Sequence, residues 1–293
     1  MQLTSVSQIK PIKHFIGLLL AWTFMTTSPG LLAQDITLQF KPGIEVHADF
    51  RAGTKSKPAI LILHGFLQTY NNATVHNLVE ELTDARYTVL APTLSLGITN
   101  RKQSLACEAP HTHTFHQDVE EVARWVTWLQ QRGHKQIILI GHSTGNIALL
   151  SYARQHNNPA IKKLIAISLI EYQREFGSAS DNVQLQAANR DARKGDTSLK
   201  SYRLSYCNNY LAPAETYITY ANWDMQRIIK TIHSIKIPLY IIAGSADERM
   251  HDGWLEQLRT TNSIIKQIEG ANHFFSSIHQ FDLYDQVNLS ISD

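Results

Sequence analysis

The length, composition and charge of the chain are those of an ordinary globular protein with one sizeable core. Its 293 residues are 43% hydrophobic and 18% charged, and the formal net charge is +2. The basic residues are scattered rather than gathered into runs, so the charge gives no reason to expect a nucleic acid as partner. Internal repeats and low-complexity segments are also missing from the sequence, which argues against a repeat architecture.

The N-terminal segment has the pattern of a secretory signal peptide. Lys10 and Lys13 precede the apolar run Phe15–Met25, and the segment Thr26–Gly30 then breaks the pattern. Ala33 supplies a small residue at a candidate cleavage site. The alternative is an uncleaved membrane anchor, for which the strictly apolar run is short. We expect the signal to be removed, leaving a secreted or periplasmic protein without stable membrane insertion.

Apolar runs predict eight strands. Two alternating segments, Ile36–Phe40 and Ile44–Phe50, flank the turn Lys41–Gly43 and predict an N-terminal hairpin. Six further strands are predicted at Ala59–Leu63, Tyr87–Ala91, Ile137–Ile140, Leu164–Leu169, Leu239–Ala243 and Ile264–Ile268.

Helical patterns lie between these strands. The clearest is Phe115–Gln131, whose apolar residues recur on one face, with Thr114 and Gln117 as a candidate capping box. Apolar strands that alternate with amphipathic helices predict an α/β fold. We expect a doubly wound, mostly parallel eight-stranded sheet with both faces covered.

A long segment interrupts this alternation after the sixth predicted strand. About 65 residues, 171–236, separate two strands that a usual connection would join with about 2–6 residues. Its many tyrosines and Trp223 favour a packed helical cap at the active-site edge of the sheet over a disordered loop. We therefore divide the chain into a signal (1–34), a core (35–170 and 237–293) and this cap.

The motif Gly141-His142-Ser143-Thr144-Gly145 is the strongest functional signal. It follows an apolar strand and precedes helix-forming residues, which is the setting of a nucleophile elbow. In that turn the serine adopts an unfavourable backbone conformation and its neighbours must lack side chains, which explains both glycines. Because short Gly/Ser patterns also arise by chance, the prediction depends on the flanking strand and helix.

An elbow serine needs a base, and the base needs a carboxylate that orients it. Asp247 follows the predicted strand Leu239–Ala243, and His273 follows the predicted strand Ile264–Ile268. Both residues therefore lie at carboxyl ends of strands, where binding crevices form in open α/β sheets. The alternatives are Asp224 or Asp252 for the acid and His251 or His279 for the base.

Four short motifs together resemble the α/β-hydrolase superfamily over essentially the whole mature chain. They are Leu63-His64-Gly65-Phe66, Gly141–Gly145, Gly244–Asp247 and Gly270–His273. The first motif resembles the oxyanion loop of the family, although a His-Gly pair there could also be a strand end with a buried histidine. The resemblance implies the α/β-hydrolase fold with a cap.

The resemblance also implies a role for each matching residue. Ser143 would be the nucleophile, His273 the general base and later acid, and Asp247 the residue that fixes the imidazole tautomer. The backbone N–H groups of Phe66 and Thr144 would form the oxyanion hole.

The cysteines and a histidine cluster suggest further sites. In an oxidising compartment Cys107 and Cys207 can form one disulfide, and two separate buried thiols are the alternative. His111, His113 and His116 lie close together in the sequence, but a metal site would need further ligands, which nothing nearby supplies. We expect neither a metal nor an organic cofactor.

A serine nucleophile points to acyl transfer, because dehalogenases and epoxide hydrolases of this fold use aspartate and dienelactone hydrolases use cysteine. We expect a serine hydrolase, a carboxylesterase acting on a small-molecule acyl substrate. A proline-iminopeptidase-like peptidase, a thioesterase and an acyltransferase are the alternatives, and so is a catalytically silent binding protein on the same scaffold. The sequence does not indicate the oligomeric state.

Overall fold

The computed structural model describes residue 2 and residues 33–173 and 179–293. Almost all of the predicted signal peptide therefore lies outside the described residues. Within the described ranges, no helix is long and apolar enough to cross a membrane.

An eight-stranded sheet forms the centre of the core. Its strands in chain order are β1 Gln34–Lys41, β2 Ile44–Arg51, β3 Ala59–Leu63, β4 Thr88–Thr93, β5 Ile137–His142, β6 Ile161–Ile167, β9 Leu239–Gly244 and β10 Ile264–Ile268. The strands β7 Lys200–Leu204 and β8 Cys207–Ala212 form a separate hairpin. The order across the sheet is β1-β2-β4-β3-β5-β6-β9-β10. β2 pairs antiparallel with β1 and β4, and the remaining neighbours are parallel. The predicted doubly wound, mostly parallel sheet is confirmed.

Helices cover both faces of the sheet. In chain order they are α1 Ala73–Asp84, α2 Phe115–Gln131, α3 Gly145–His156, α4 Ala179–Arg193, α5 Ala214–Ala221, α6 Met225–Ser234, α7 Trp254–Arg259 and α8 His279–Ser292. α1 and α8 cover one face, while α2, α3 and α6 cover the other. The predicted boundaries of α2 are confirmed, and Gln117 Oε1 accepts a hydrogen bond from the Thr114 N–H at 3.0 Å.

The central strands are apolar throughout because both faces of the sheet are buried. Along β3, Ile60 and Ile62 point into the core beneath α1 and α8. Leu61 and Leu63 point into the larger core on the other side. Alternation of successive side chains between two apolar layers explains why these strands read as continuous hydrophobic runs.

The segment between β6 and β9 differs from the expected all-helical cap. It contains α4, α5 and α6, but a two-stranded antiparallel hairpin, β7–β8, lies between α4 and α5. The hairpin is joined to the loop before α2 by the disulfide Cys107–Cys207, so the predicted bridge is present in the structure. The hairpin therefore packs onto the core loop and not only onto the other cap elements.

Candidate active site

Ser143 stands in a tight turn between β5 and α3. Its φ of +57° lies in the left-handed region, and this conformation costs free energy for any residue that has a Cβ. A Cβ on Gly141 would lie 2.4 Å from Asn146 Oδ1, and a Cβ on Gly145 would lie 2.2 Å from the carbonyl oxygen of His64. Both positions therefore require glycine, as the elbow motif predicts.

Backbone and side-chain hydrogen bonds hold this turn against the neighbouring strand. The Ser143 N–H donates to the Ile167 carbonyl of β6 at 2.9 Å. The Asn146 amide donates to the carbonyls of Ser143 and Ile167, at 2.7 and 2.8 Å. Asn146 thus closes the turn from inside, a role that the sequence motif does not indicate.

The structure brings Ser143, His273 and Asp247 together in one chain of hydrogen bonds. The His273 Nδ1–H donates to Asp247 Oδ2 at 2.8 Å. His273 Nε2 lies 3.0 Å from Ser143 Oγ and is left to accept the hydroxyl proton. All three residues are more than nine-tenths buried, so the hydrogen bonds lie in a region of low dielectric.

Further hydrogen bonds hold His273 and Asp247 in place. The His273 carbonyl accepts from His142 Nε2–H at 3.0 Å and from Ser168 Oγ–H at 2.9 Å. The other oxygen of Asp247, Oδ1, accepts from the Arg249 N–H at 2.9 Å. Burial lowers the pKa of His142 to about 3, so this imidazole stays neutral and keeps its role as donor.

The alternative acids and bases either bind other groups or are exposed. Asp224 caps α6 by accepting from the Arg227 N–H, and Asp252 is exposed. His279 Nδ1 lies 3.1 Å from Asp282, and His251 Nε2 lies 3.2 Å from Glu171. The geometry therefore selects Asp247 and His273 as the partners of Ser143.

The loop after β3 lies beside Ser143. A Cβ on Gly65 would lie 3.1 Å from the Ser143 Cβ, which shows how closely the loop backbone approaches. Among the described residues, neither the Phe66 N–H nor the Thr144 N–H donates a hydrogen bond to the protein. Two backbone donors next to the serine are thus free for a ligand oxygen.

His64 holds the start of this loop. Its Nε2 accepts from the Leu94 N–H at 3.0 Å, so its Nδ1 carries the proton and donates to the Gly65 carbonyl at 2.8 Å. Burial lowers the pKa of His64 to about 3, which keeps the ring neutral in this arrangement.

Two residues that the sequence did not single out also fix the loop. The buried Arg101 guanidinium donates to the carbonyls of Leu94, Gln103 and Gln68 at 2.7 Å each. The Tyr206 hydroxyl, on the turn of the cap hairpin, donates to the Phe66 carbonyl at 2.9 Å. No local motif marks the contacts of Arg101 with Gln68 and of Tyr206 with Phe66, because these residues are 33 and 140 positions apart in the chain.

The three clustered histidines point into different surroundings. His111 stacks on Tyr210 with ring centroids 4.3 Å apart, and His113 meets Tyr220 edge-on at 5.6 Å. His116 is exposed and pairs with a glutamate of its own helix. Among the described residues, no group of three His, Cys, Asp or Glu side chains is placed to hold a metal ion.

A small cavity lies behind the loop that follows β3. It measures about 20 Å³, roughly the room for one water, and its lining includes Phe66, Thr144, His113, Asp118 and Tyr220. The Tyr220 hydroxyl donates to Asp118 Oδ2 at 2.6 Å. Burial raises the pKa of Asp118 well above its usual range. The aromatic walls leave no space here for a long acyl chain.

Comparison with known proteins agrees with this arrangement. A family model described as the alpha/beta hydrolase fold matches residues 58–197. Among curated protein sequences, none matches the chain significantly. The chain therefore has the α/β-hydrolase fold, and the resemblance predicted from the four motifs is confirmed.

Solved structures show the same fold at low sequence identity. A ferulic acid-bound Est1E from Butyrivibrio proteoclasticus is 16% identical, with a TM-score of 0.65 over 87% of this chain and 97% of that one. A monoacylglycerol lipase from Paleococcus ferrophilus is 16% identical, with a TM-score of 0.63 over 85% and 98%. A thioesterase domain from the curacin biosynthetic pathway is 16% identical, with a TM-score of 0.59 over 89% and 100%. These neighbours differ in chemistry, so the likeness concerns the fold alone.

Proposed function

We propose that the protein is a serine hydrolase that cleaves ester bonds through an acyl-enzyme intermediate. The observation that carries the proposal is the hydrogen-bonded chain from Ser143 Oγ through His273 to Asp247. The hydrolase fold and the two free backbone donors beside the serine give further support.

Acylation follows from this geometry. Ser143 Oγ attacks the ester carbonyl carbon while His273 Nε2 takes the hydroxyl proton, and the carbonyl electrons move onto the oxygen. Asp247 holds the imidazole in the required tautomer and stabilises the imidazolium. The Phe66 and Thr144 N–H groups bind the oxyanion. Collapse of the intermediate expels the alcohol, which receives the proton from His273.

Deacylation repeats these steps with water as the nucleophile. His273 takes a proton from the water, the hydroxide attacks the Ser143 ester, and the serine leaves with the proton as the acid product is released. Every proton passes through one imidazole, so the reaction needs no metal or organic cofactor.

We also propose that the mature enzyme works outside the cytoplasm. The N-terminal sequence pattern and the disulfide Cys107–Cys207 both favour an exported protein, because disulfides persist in oxidising compartments. Mass spectrometry of the secreted protein would test this, with the N-terminus expected near residue 34.

Replacement of the triad residues tests the reaction. Ser143→Ala should abolish labelling by a fluorophosphonate probe and lower kcat on a 4-nitrophenyl ester by about 10⁶. Asp247→Asn should lower kcat by about 10⁴, because the imidazole loses its orienting charge. Equal labelling of wild type and Ser143→Ala would contradict the proposal and favour a binding protein.

A matched set of esters, thioesters and N-terminal proline amides defines the reaction class. An esterase should give the highest kcat/KM with the oxygen ester, with Ser143→Ala as the blank. A higher kcat/KM with the proline amide would indicate a peptidase, and a higher kcat/KM with the thioester would indicate a thioesterase, in both cases with the same catalytic residues.

A further inference from the structure

A cationic side chain stands at the rim of the active site. The Arg249 guanidinium carbon lies 4.9 Å from the ring centroid of Phe274 and 5.5 Å from that of Tyr206. Cations are attracted to aromatic faces, so the two rings hold the guanidinium in a defined place although the residue is exposed.

Each of the two rings contacts a different part of the candidate site. Phe274 follows His273 in the chain, and its ring centroid lies 5.0 Å from that of the imidazole. The Tyr206 hydroxyl donates to the carbonyl of Phe66, which follows Gly65, the residue that approaches Ser143. The guanidinium therefore lies within about 10 Å of the imidazole ring of His273.

Among the side chains of residues 33–173 and 179–293, no carboxylate forms an ion pair with Arg249. Glu171, the nearby buried acid, pairs with His251 at 3.2 Å. Glu248 is the exposed neighbour in sequence. A fixed cation with free guanidinium donors is thus available to a ligand.

Arg249 also faces a cavity large enough for part of a substrate. This cavity measures about 290 Å³ and is lined by Arg249, Tyr206, Ser205, Glu171, Glu248 and His251. The space behind the oxyanion loop holds only about one water. A substrate part larger than one water does not fit behind the oxyanion loop, and the cavity beside Arg249 offers room for it.

We propose that Arg249 binds a carboxylate on the ester substrate, and that the enzyme prefers esters that carry this negative charge. The planar guanidinium matches a carboxylate with two parallel hydrogen bonds. The inference rests on the proposed esterase function and adds the class of substrate. Arg249 is a binding residue here, since its side chain takes no part in proton transfer.

Two matched series of esters test the preference. One places the charge on the acyl side, comparing 4-nitrophenyl monoesters of succinic, glutaric and adipic acid with neutral acyl chains of equal length. The other places it on the leaving group, comparing 4-acetoxybenzoate with 4-methylphenyl acetate. In at least one series the charged ester should show the higher kcat/KM, and added salt should reduce the advantage.

Variants of Arg249 assign the preference. Arg249→Gln should lower the ratio of charged to neutral kcat/KM by about tenfold, mainly through KM, since one hydrogen-bonded charge is lost. Arg249→Lys should give an intermediate ratio because it keeps the charge but not the planar pair of donors. The matched control Glu248→Gln removes a charge of the opposite sign one residue away and should leave the ratio unchanged or raise it.

The outcomes separate this inference from the proposed function. Hydrolysis that depends on Ser143 but shows the same ratio in wild type and Arg249→Gln overturns the carboxylate site alone. A lower ratio in Glu248→Gln would do the same, because it would indicate a cationic substrate. If no ester is hydrolysed in a Ser143-dependent way, the esterase and the carboxylate site both fail.

Discussion

At the scale of single residues, the site depends on backbone atoms that approach each other too closely for side chains. The carbonyl of His64, at the start of the oxyanion loop, lies against Gly145, at the start of α3. This contact sets the distance between the loop donors and the elbow. Since the loop also touches Ser143 through Gly65, a small displacement would move the oxyanion donors relative to the nucleophile.

Gly145→Ala tests this contact. Its Cβ would lie 2.2 Å from the His64 carbonyl oxygen, so the loop must move. We expect a loss of at least about 2 kcal/mol of unfolding free energy and a clear fall in kcat. Denaturant unfolding and ester turnover measure the two effects.

The control is Gly133→Ala at a φ of +88° with no atom near the added Cβ. Its cost should be about 1–2 kcal/mol from backbone strain alone, with kcat unchanged. A similar fall in kcat in both variants would contradict a specific role for the Gly145 contact.

At the scale of elements, two consecutive residues at the turn of the cap hairpin attach it to the core. Tyr206 bonds to the oxyanion loop, and the next residue, Cys207, is bonded to Cys107. Backbone hydrogen bonds extend this second attachment, because the Leu211 N–H donates to the Cys107 carbonyl at 3.3 Å. The disulfide therefore restrains the hairpin that positions the Phe66 carbonyl.

Removal of the disulfide should weaken both stability and turnover. In the chain-entropy model, a bridge over 100 residues contributes about 4–5 kcal/mol, so Cys107→Ser with Cys207→Ser should lower Tm by roughly 10–20 °C. At temperatures where the variant stays folded, kcat should also fall, because the Tyr206 contact loosens. Calorimetry and turnover of the oxidised, reduced and variant proteins measure this. An unchanged Tm after full reduction would contradict it.

The core elements were predictable from sequence because their signals are local. The bounds of β3 and α2 coincide with the predicted ones, since continuous burial defines the strand and a one-sided apolar stripe defines the helix. The bounds of β10 also coincide, although only Ile268 of this strand is buried. The hairpin β7–β8 was not predicted. Its short strands depend on partners far away in sequence, such as the ring of Tyr217 stacked 4.1 Å from Tyr202.

The same distinction applies to the site. The elbow glycines and the strand-end positions of Asp247 and His273 follow from motif and topology. Arg101 and Tyr206 could not be found in this way, because each acts on carbonyl groups of distant segments that no side-chain pattern reveals. The placement of Arg249 likewise needs the cap and the core together.

At the scale of the whole molecule, buried titratable groups set how stability depends on pH. Burial lowers the pKa of His64, His113 and His142 to about 3, against about 6.5 in the unfolded chain. Above pH 6.5 these histidines have a constant effect on the free energy of unfolding. As the pH falls below 6.5, the unfolded chain binds protons that the folded protein does not, and each histidine then lowers the free energy of unfolding by up to about 1.4 kcal/mol per pH unit.

Two buried acids act in the opposite direction. Burial raises the pKa of Glu121 to about 7 and that of Asp118 well above its usual range. Ser95 donates to Glu121 from both its hydroxyl and its N–H, and this only partly offsets the burial. As pH rises from about 4.5, the unfolded chain releases these protons before the folded protein does, so stability falls.

The sum predicts a maximum of unfolding free energy near pH 6.5. Between about pH 4.5 and 6.5 the unfolded chain binds about three more protons than the folded protein at the histidines and about two fewer at the acids, so stability rises with pH. Above pH 6.5 only the two acids still titrate, so stability falls. Urea unfolding between pH 4 and 8 should show this maximum, and Glu121→Gln should reduce the decline above pH 6.5. Stability that rises steadily through pH 8 would contradict these assignments.

The position of the disulfide along the chain bears on how the enzyme matures. Cys207 precedes both Asp247 and His273, so if the chain is exported as we propose, the disulfide can close before β9 and β10 emerge from the membrane. The cap would then be tethered above a catalytic site that still has only its serine. Activity would arise late, when β9 and β10 add to the sheet edge, and a chain truncated before them would be oxidised yet inert.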